Sequence, residues 1–165
     1  MTIWVADLLS SLDNSSVGVA VRESTWLFPT LETVHVISIA LVVGTIAIVD
    51  LRLLYVASRR RAASELIKEV LPWTWMAFAS AVLTGGLLFA SAAVKYANNG
   101  PFQLKMLLLL LAGLNMAVFH RHTGRRISQW DRGPLIPAAA RLAGGISLAI
   151  WIAIVVMGRW IGFVS

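Results

Sequence analysis

The feature that most constrains this chain is a set of four apolar runs, each about as long as a helix that crosses a bilayer. Crossing about 30 Å of hydrocarbon takes about 20 predominantly apolar residues, because unpaired backbone groups are too unfavourable in lipid and an α-helix pairs them internally. The runs cover about residues 31–56, 73–94, 102–119 and 142–163. The sequence therefore predicts an all-α fold, an integral membrane four-helix transmembrane bundle.

The composition agrees with lipid as the main solvent. Apolar residues make up 58% of the chain and charged residues only 13%, against about 25% charged in soluble domains. Residues 1–165 are therefore predicted to form a single membrane domain. The net charge of +6 is not interpreted as nucleic-acid binding, because the basic residues lie at the ends of apolar runs. The absence of cysteine excludes disulfides, zinc–thiolate sites and iron–sulfur clusters.

Lysine and arginine gather at two connections, the one between the first and second runs and the one between the third and fourth. The positive-inside rule then predicts that both connections face the cytoplasm and both termini face outward, into the periplasm for a bacterial inner membrane. Trp26 and Trp160 fall at the predicted outer boundary, as an aromatic belt requires. The basic residues of the two connections and their flanks are Arg52, Arg59, Arg60, Arg61, Lys68, Arg121, Arg125, Arg126, Arg132 and Arg141.

Residues 1–28 precede the first run and are predicted to stay on the outer side. Trp4, Leu8 and Leu12 recur at helical spacing, with Asp7 and Asp13 among the polar positions. This pattern predicts a short interfacial helix. The alternative is a disordered tail. The segment has no basic start and carries acids through its apolar part, so it is not interpreted as a cleavable signal peptide.

Small residues recur at four-residue spacing within the runs. The second run carries Ala77, Ala81 and Gly85, and the fourth carries Gly145 and Ala149. Such stripes let helix backbones approach closely in lipid. We expect them to pack the bundle internally; a homodimer contact, or a contact with another membrane subunit, is the alternative.

Ionisable residues near the outer ends of the runs predict an outer polar layer. Glu32 and His35 lie three residues apart on one helix face, and Asp50 follows Glu32 after about five full turns. We expect this stripe to face the bundle interior. The outer layer comprises Glu32, His35, Lys95, Lys105 and Arg159, with Met106 and Met157 at the same level.

Two interpretations of the outer layer remain open. In the first, the charged groups form an ion-pair and hydrogen-bond network that fixes helix register. In the second, neutral His35 is a metal or cofactor ligand, with Met106 or Met157 as a soft second ligand suited to Cu(I) or haem iron. The cofactors considered are therefore haem b and copper.

A second polar layer is predicted at the inner ends of the runs, formed by Asp50, Arg52, Asn115 and His120. Asp50 with Arg52 or Asn115 is expected to be a structural pair, and a proton relay is the alternative. His120 belongs to a basic cluster that suits anionic lipid. It lies about 20 Å deeper than His35 at 1.5 Å per residue, so the two histidines are not expected to share a metal or haem.

Several stretches of the chain together resemble a family of uncharacterised four-span bacterial inner-membrane proteins. They are residues 22–35 (RESTWLFPTLETVH), residues 43–54 (VGTIAIVDLRLL), residues 102–106 (FQLKM), residues 113–115 (GLN) and residues 158–160 (GRW). The resemblance covers nearly the whole chain and carries no established activity. The family is weakly similar to the membrane component of copper resistance, the D protein, which implies a metal role for the layer around His35.

The sequence contains no motif of hydrolytic or nucleophilic catalysis. Three function classes remain. The first is a metal- or haem-linked membrane protein using His35. The second is a non-catalytic structural or accessory subunit of a membrane complex, and the third is a small-solute or proton pathway.

Overall fold

The computed structural model describes residues 3–58, 60–131 and 136–164, and within them the secondary structure is entirely helical. Seven α-helices and one short 3-10 helix follow one another. They are α1 (Ile3–Asp13), α2 (Ser16–Glu23), α3 (Leu27–Leu53), α4 (Ala63–Ala90), α5 (Ala93–Ala97), α6 (Gly100–His122), the 3-10 helix Gly124–Gln129 and α7 (Ala138–Trp160).

Four helices, α3, α4, α6 and α7, are long and apolar enough to cross a membrane by length and composition. Large apolar side chains on their outward surfaces are exposed, such as Leu110 (72% exposed) and Leu83 (69% exposed). Such a surface is unfavourable in water and suits lipid. The predicted fold class, a bundle of four membrane-spanning helices with a short N-terminal helix, is confirmed.

The four long helices form two close pairs, α3 with α4 and α6 with α7, joined by packing of α3 on α7. The centre of the bundle is an apolar cluster of Val42, Ala77, Trp151 and Ile154. A second cluster, which includes Leu53 and Phe119, lies towards the end of the bundle where α3 and α6 finish. Helices α4 and α6, described along their whole lengths, have no extensive contact with each other.

The second long helix begins ahead of the apolar run that indicated it. The run starts at about Trp73, whereas α4 begins at Ala63 and continues through Pro72. Hydropathy marks only the part of a helix that suits hydrocarbon, whereas this helix extends beyond that part. Ala63 and Leu66 are buried at its start, so packing stabilises the extension despite the hydrogen bond that proline removes.

The segment before the first long helix folds as two helices. Ser15 caps the start of α2 by accepting a hydrogen bond from the Gly18 N–H at 3.1 Å. The Asp13 carboxylate accepts from the Ala93 N–H at the start of α5, and Arg22 Nη1 donates to the Ser91 carbonyl at 3.0 Å. Residues 3–23 are thus attached to the end of the bundle, whereas the pattern predicted a single helix and the alternative was a disordered tail.

Both chain ends lie at the same end of the bundle, here called the terminal end. Asn99, just before α6, donates from its side chain to the carbonyl oxygens of Ile161 and Val164 beyond α7. The opposite end, here called the arginine end, carries the connections from α3 to α4 and from α6 to α7. Two basic residues counted in the orientation argument, Arg59 and Arg132, lie outside the described residues.

Candidate functional site

At the terminal end, the His35 imidazole is held in a defined tautomer. Its Nδ1 lies 3.0 Å from Thr84 Oγ1 on α4. The Thr84 hydroxyl already donates its hydrogen to the Ser80 carbonyl oxygen at 2.7 Å, so His35 Nδ1 is the donor of the pair. With the hydrogen on Nδ1, the second ring nitrogen, Nε2, keeps its lone pair.

Lys105 shares this level of the bundle with His35. It is half-buried on α6, and its ammonium interacts electrostatically with the imidazole. Its Nζ would lie 3.5 Å from a Cβ built on Gly158, so the lysine side chain passes over α7 at that glycine. Among the described residues no carboxylate pairs with Lys105; the ion pair they contain is Arg61–Glu69, at the arginine end.

The other charged residues of the predicted outer layer lie at the surface. Glu32 is exposed, so the acidic stripe expected to face the interior does not do so at this end. Burial raises the pKa of the Tyr96 phenol, and the nearby Glu32 carboxylate raises it further. Lys95 is exposed, and the exposed Arg159 has its guanidinium 4.9 Å from the Phe163 ring centre. The described side chains therefore do not form the ion-pair network that the first interpretation expected.

The two methionines considered as soft ligands lie next to Lys105 on α6 and next to Gly158 on α7. Met106 follows Lys105 on α6 and is 38% exposed, and Met157 precedes Gly158 on α7 and is half-buried. No group of three histidine, aspartate or glutamate side chains that could hold a metal ion occurs in the described part of the chain. Among the described residues, His35 therefore does not belong to a cluster of this kind.

At the arginine end, Asp50 and Arg52 are both buried but do not pair. Asp50 is 5% exposed, and its Oδ2 has no hydrogen-bond partner within residues 3–58, 60–131 and 136–164. Arg52 is 1% exposed and donates to the carbonyl oxygens of Arg61 at 2.7 Å and Asp131 at 2.9 Å. Residues two apart on a helix do not face each other, which explains why the expected pair does not form.

The two remaining residues of the predicted inner layer also bond elsewhere. The Asn115 side-chain amide donates to the Ala143 carbonyl at 3.0 Å and so links α6 to α7. His120 is exposed, and its Nδ1 lies 3.0 Å from the Met116 carbonyl oxygen of its own helix. Neither side chain therefore replaces Arg52 as the partner of Asp50.

Hydroxyl side chains are the part of the interior that the sequence reasoning missed. Three side-chain pairs cross from α3 to α4 along one line of the interface. A recognisable signal exists on α3, where Ser38 and Thr45 are seven residues apart, which is about two full turns. The pairs are His35–Thr84 at 3.0 Å, Ser38–Ser80 at 2.8 Å and Thr45–Thr74 at 2.8 Å.

Four membrane-length helices packed around an apolar centre define a multi-pass integral membrane bundle protein. The profile of a family of unknown function (DUF6644) matches residues 13–164. The chain therefore belongs to that family, which agrees with the resemblance to an uncharacterised four-span family. Comparison with curated proteins and with solved structures gave no significant match.

Proposed function

We propose that this protein is a haem-linked membrane protein in which His35 Nε2 binds the iron of a b-type haem. The observation that carries the proposal is the 3.0 Å contact between His35 Nδ1 and a Thr84 hydroxyl that donates its own hydrogen to the Ser80 carbonyl oxygen. A histidine that ligates a metal almost always donates its other ring N–H to an acceptor, which fixes the ring and leaves the ligating nitrogen free. A haem would supply one-electron chemistry at this position.

The charges at the terminal end favour haem over a free copper ion. A haem needs one or two axial ligands from the protein, whereas a dedicated copper site needs several, and the described residues contain no such cluster. A bare metal cation next to His35 would meet the Lys105 ammonium. The two carboxylates of a haem, by contrast, suit Lys105 together with Lys95 and Arg159 near the membrane boundary.

A methionine thioether would supply a second ligand to the iron. Met106 follows Lys105 on α6, and Met157 precedes Gly158, the glycine that the Lys105 side chain approaches on α7. Methionine opposite histidine is an established haem ligand pair that raises the reduction potential. Met157 is the less exposed of the two, and it is therefore our preferred ligand.

The test is an absorption spectrum of the full-length protein, purified in detergent from cells supplied with a haem precursor. We expect a Soret band that is lost in His35→Ala and kept in His120→Ala, a control histidine that lies at the opposite end of the bundle. A colourless wild-type protein would overturn the proposal. So would a Soret band of equal intensity in His35→Ala.

A structural or accessory subunit is the second candidate function. It is favoured by the three hydrogen-bonded pairs between α3 and α4, which act as interhelical contacts in lipid. In that case His35→Ala lowers the thermal stability of a protein that is colourless from the start.

We further propose that the protein resides in a bacterial inner membrane, with the terminal end on the periplasmic side. The arginine-rich connections support this orientation through the positive-inside rule. The haem would then lie near the periplasmic boundary.

A further inference from the structure

The half of the bundle nearer the arginine end contains a cavity of about 200 Å³ between all four long helices. It extends from the central apolar cluster, whose Val42 and Trp151 line it, towards the arginine end, and His35 is not among its lining residues. Its walls are mainly apolar and include the aromatic rings of Trp75, Phe78, Phe119 and Trp151. A dry apolar cavity of about 150 Å³ holds a benzene-sized molecule, so this cavity is large enough for a small organic ligand.

One carboxyl group lines this mainly apolar cavity. Asp50 is 5% exposed, and its Oδ2 is a buried oxygen without a hydrogen-bond partner among the described residues. The Ser147 hydroxyl on α7 faces the same carboxyl. At membrane depth a carboxyl group is stable only when it is neutral or is matched by a cation.

The described part of the protein does not supply that cation. The nearest arginine in sequence, Arg52, is bonded to the carbonyl oxygens of Arg61 and Asp131. His120 is the other titratable side chain on the cavity wall, and it is exposed and turned to the carbonyl of Met116. A cation that pairs with the ionised Asp50 carboxylate would therefore be supplied by a ligand.

The walls indicate which kind of cation fits. A hard metal ion such as Ca²⁺ takes six to eight oxygen ligands, and the chamber is mostly apolar. An organic ammonium is different, because its apolar body packs against hydrocarbon and its charge is attracted to aromatic faces as well as to a carboxylate. A small lipophilic monocation therefore matches both the walls and the single carboxyl group.

The cavity is open at its side, towards the lipid. Trp75 on α4 and Met116 on α6 line it, and they are 51% and 43% exposed. These two helices have no extensive contact with each other. A ligand can thus enter from the bilayer and avoid the arginine-rich end, where a cation would be repelled.

We propose that the cavity beside Asp50 is a binding site for a small lipophilic organic ammonium ion, with the Asp50 carboxylate as its counter-ion. The site is separate from the His35 layer and does not depend on the haem proposal. It also accounts for the buried Asp50 Oδ2, which has no hydrogen-bond partner among the described residues.

The test uses benzyltrimethylammonium as the probe and isothermal titration calorimetry on the full-length protein in lipid nanodiscs. We expect saturable binding of one ion per chain. Neopentylbenzene, the neutral isostere in which carbon replaces nitrogen, should not displace it. Asp50→Asn should weaken binding by about tenfold or more, because the counter-ion is lost without a change in shape. Glu32→Gln, which removes an exposed carboxylate from the same helix, should leave binding unchanged.

A second variant keeps the proposal testable if Asp50→Asn does not fold. Gly113 lines the cavity, and a Cβ built there meets nothing within 4 Å, so Gly113→Leu fills the space and should abolish binding. Absence of saturable binding to the wild type would overturn the proposal. Equal binding to wild type and Asp50→Asn would also overturn it, as would displacement by neopentylbenzene, which would indicate a site for neutral hydrocarbon.

Discussion

Glycine positions in the long helices differ sharply in what surrounds them. A Cβ built on Gly85 would lie 2.8 Å from His35 Cε1, whereas a Cβ on the next residue, Gly86, meets nothing within 4 Å. Gly144 is also tightly placed, with its built Cβ 3.1 Å from Leu53 Cβ and 3.2 Å from the Asp50 carbonyl oxygen. Small residues are therefore required only where a side chain or backbone of a neighbouring helix comes close.

Gly85→Ala tests this local requirement. The added methyl group displaces the His35 ring from Thr84, and we expect the free energy of unfolding to fall by about 1–3 kcal/mol, as overpacking usually does. Gly86→Ala is the matched control and should be neutral or slightly stabilising, because alanine is the better helix former. Denaturant titration of the purified variants measures both. Equal effects of the two substitutions would contradict the close contact.

The end of α3 illustrates how one helix terminus organises two connections. Arg52 donates to the Arg61 carbonyl in the connection to α4 and to the Asp131 carbonyl in the connection to α7. The Asp131 carboxylate in turn accepts from the Ser64 hydroxyl near the start of α4. Buried hydrogen bonds from one guanidinium thus hold both loops against the bundle.

Arg52→Lys should therefore lower the free energy of unfolding even though it keeps the charge. A lysine cannot reproduce the planar fork that reaches two carbonyl oxygens, and each charged hydrogen bond contributes about 1.5–3 kcal/mol. We expect a loss of about 3 kcal/mol in unfolding free energy, together with faster proteolysis of the loops. Arg60→Lys, at an exposed neighbour, serves as control. A loss of stability no larger than that of the control would argue against a role of Arg52 in holding the two connections.

The four long helices bring both termini to one end of the bundle. The proposed orientation therefore predicts which end of the bundle a reagent outside the cell can reach. The chain contains no cysteine, so single cysteines can be introduced without background. In intact cells a membrane-impermeant maleimide should label Ser11→Cys on α1, and it should label Ser58→Cys, after α3, only once the membrane is opened. Both original serines are exposed.

The reverse labelling pattern would invert the proposed orientation. Labelling of both cysteines in intact cells would contradict an arrangement in which one membrane span, α3, separates them.

The sequence by itself determined the all-α fold class, the number of membrane helices and the residues at each end of the bundle. Lipid imposes a fixed length and an apolar surface on every span, and both properties are local, so they can be seen in the chain. Residue number along each run also predicted the level of His35, Lys105 and Asp50 in the bundle.

Only the tertiary structure decided which of these polar groups meet. In the structure Glu32 is exposed, Arg52 donates to carbonyl oxygens of the connecting loops, and Thr84 is hydrogen-bonded to His35. Depth along a helix follows from residue number, whereas the rotation of a helix about its axis is set by the neighbours it packs against. Those contacts join residues far apart in the chain, and the pattern of a single sequence does not contain them.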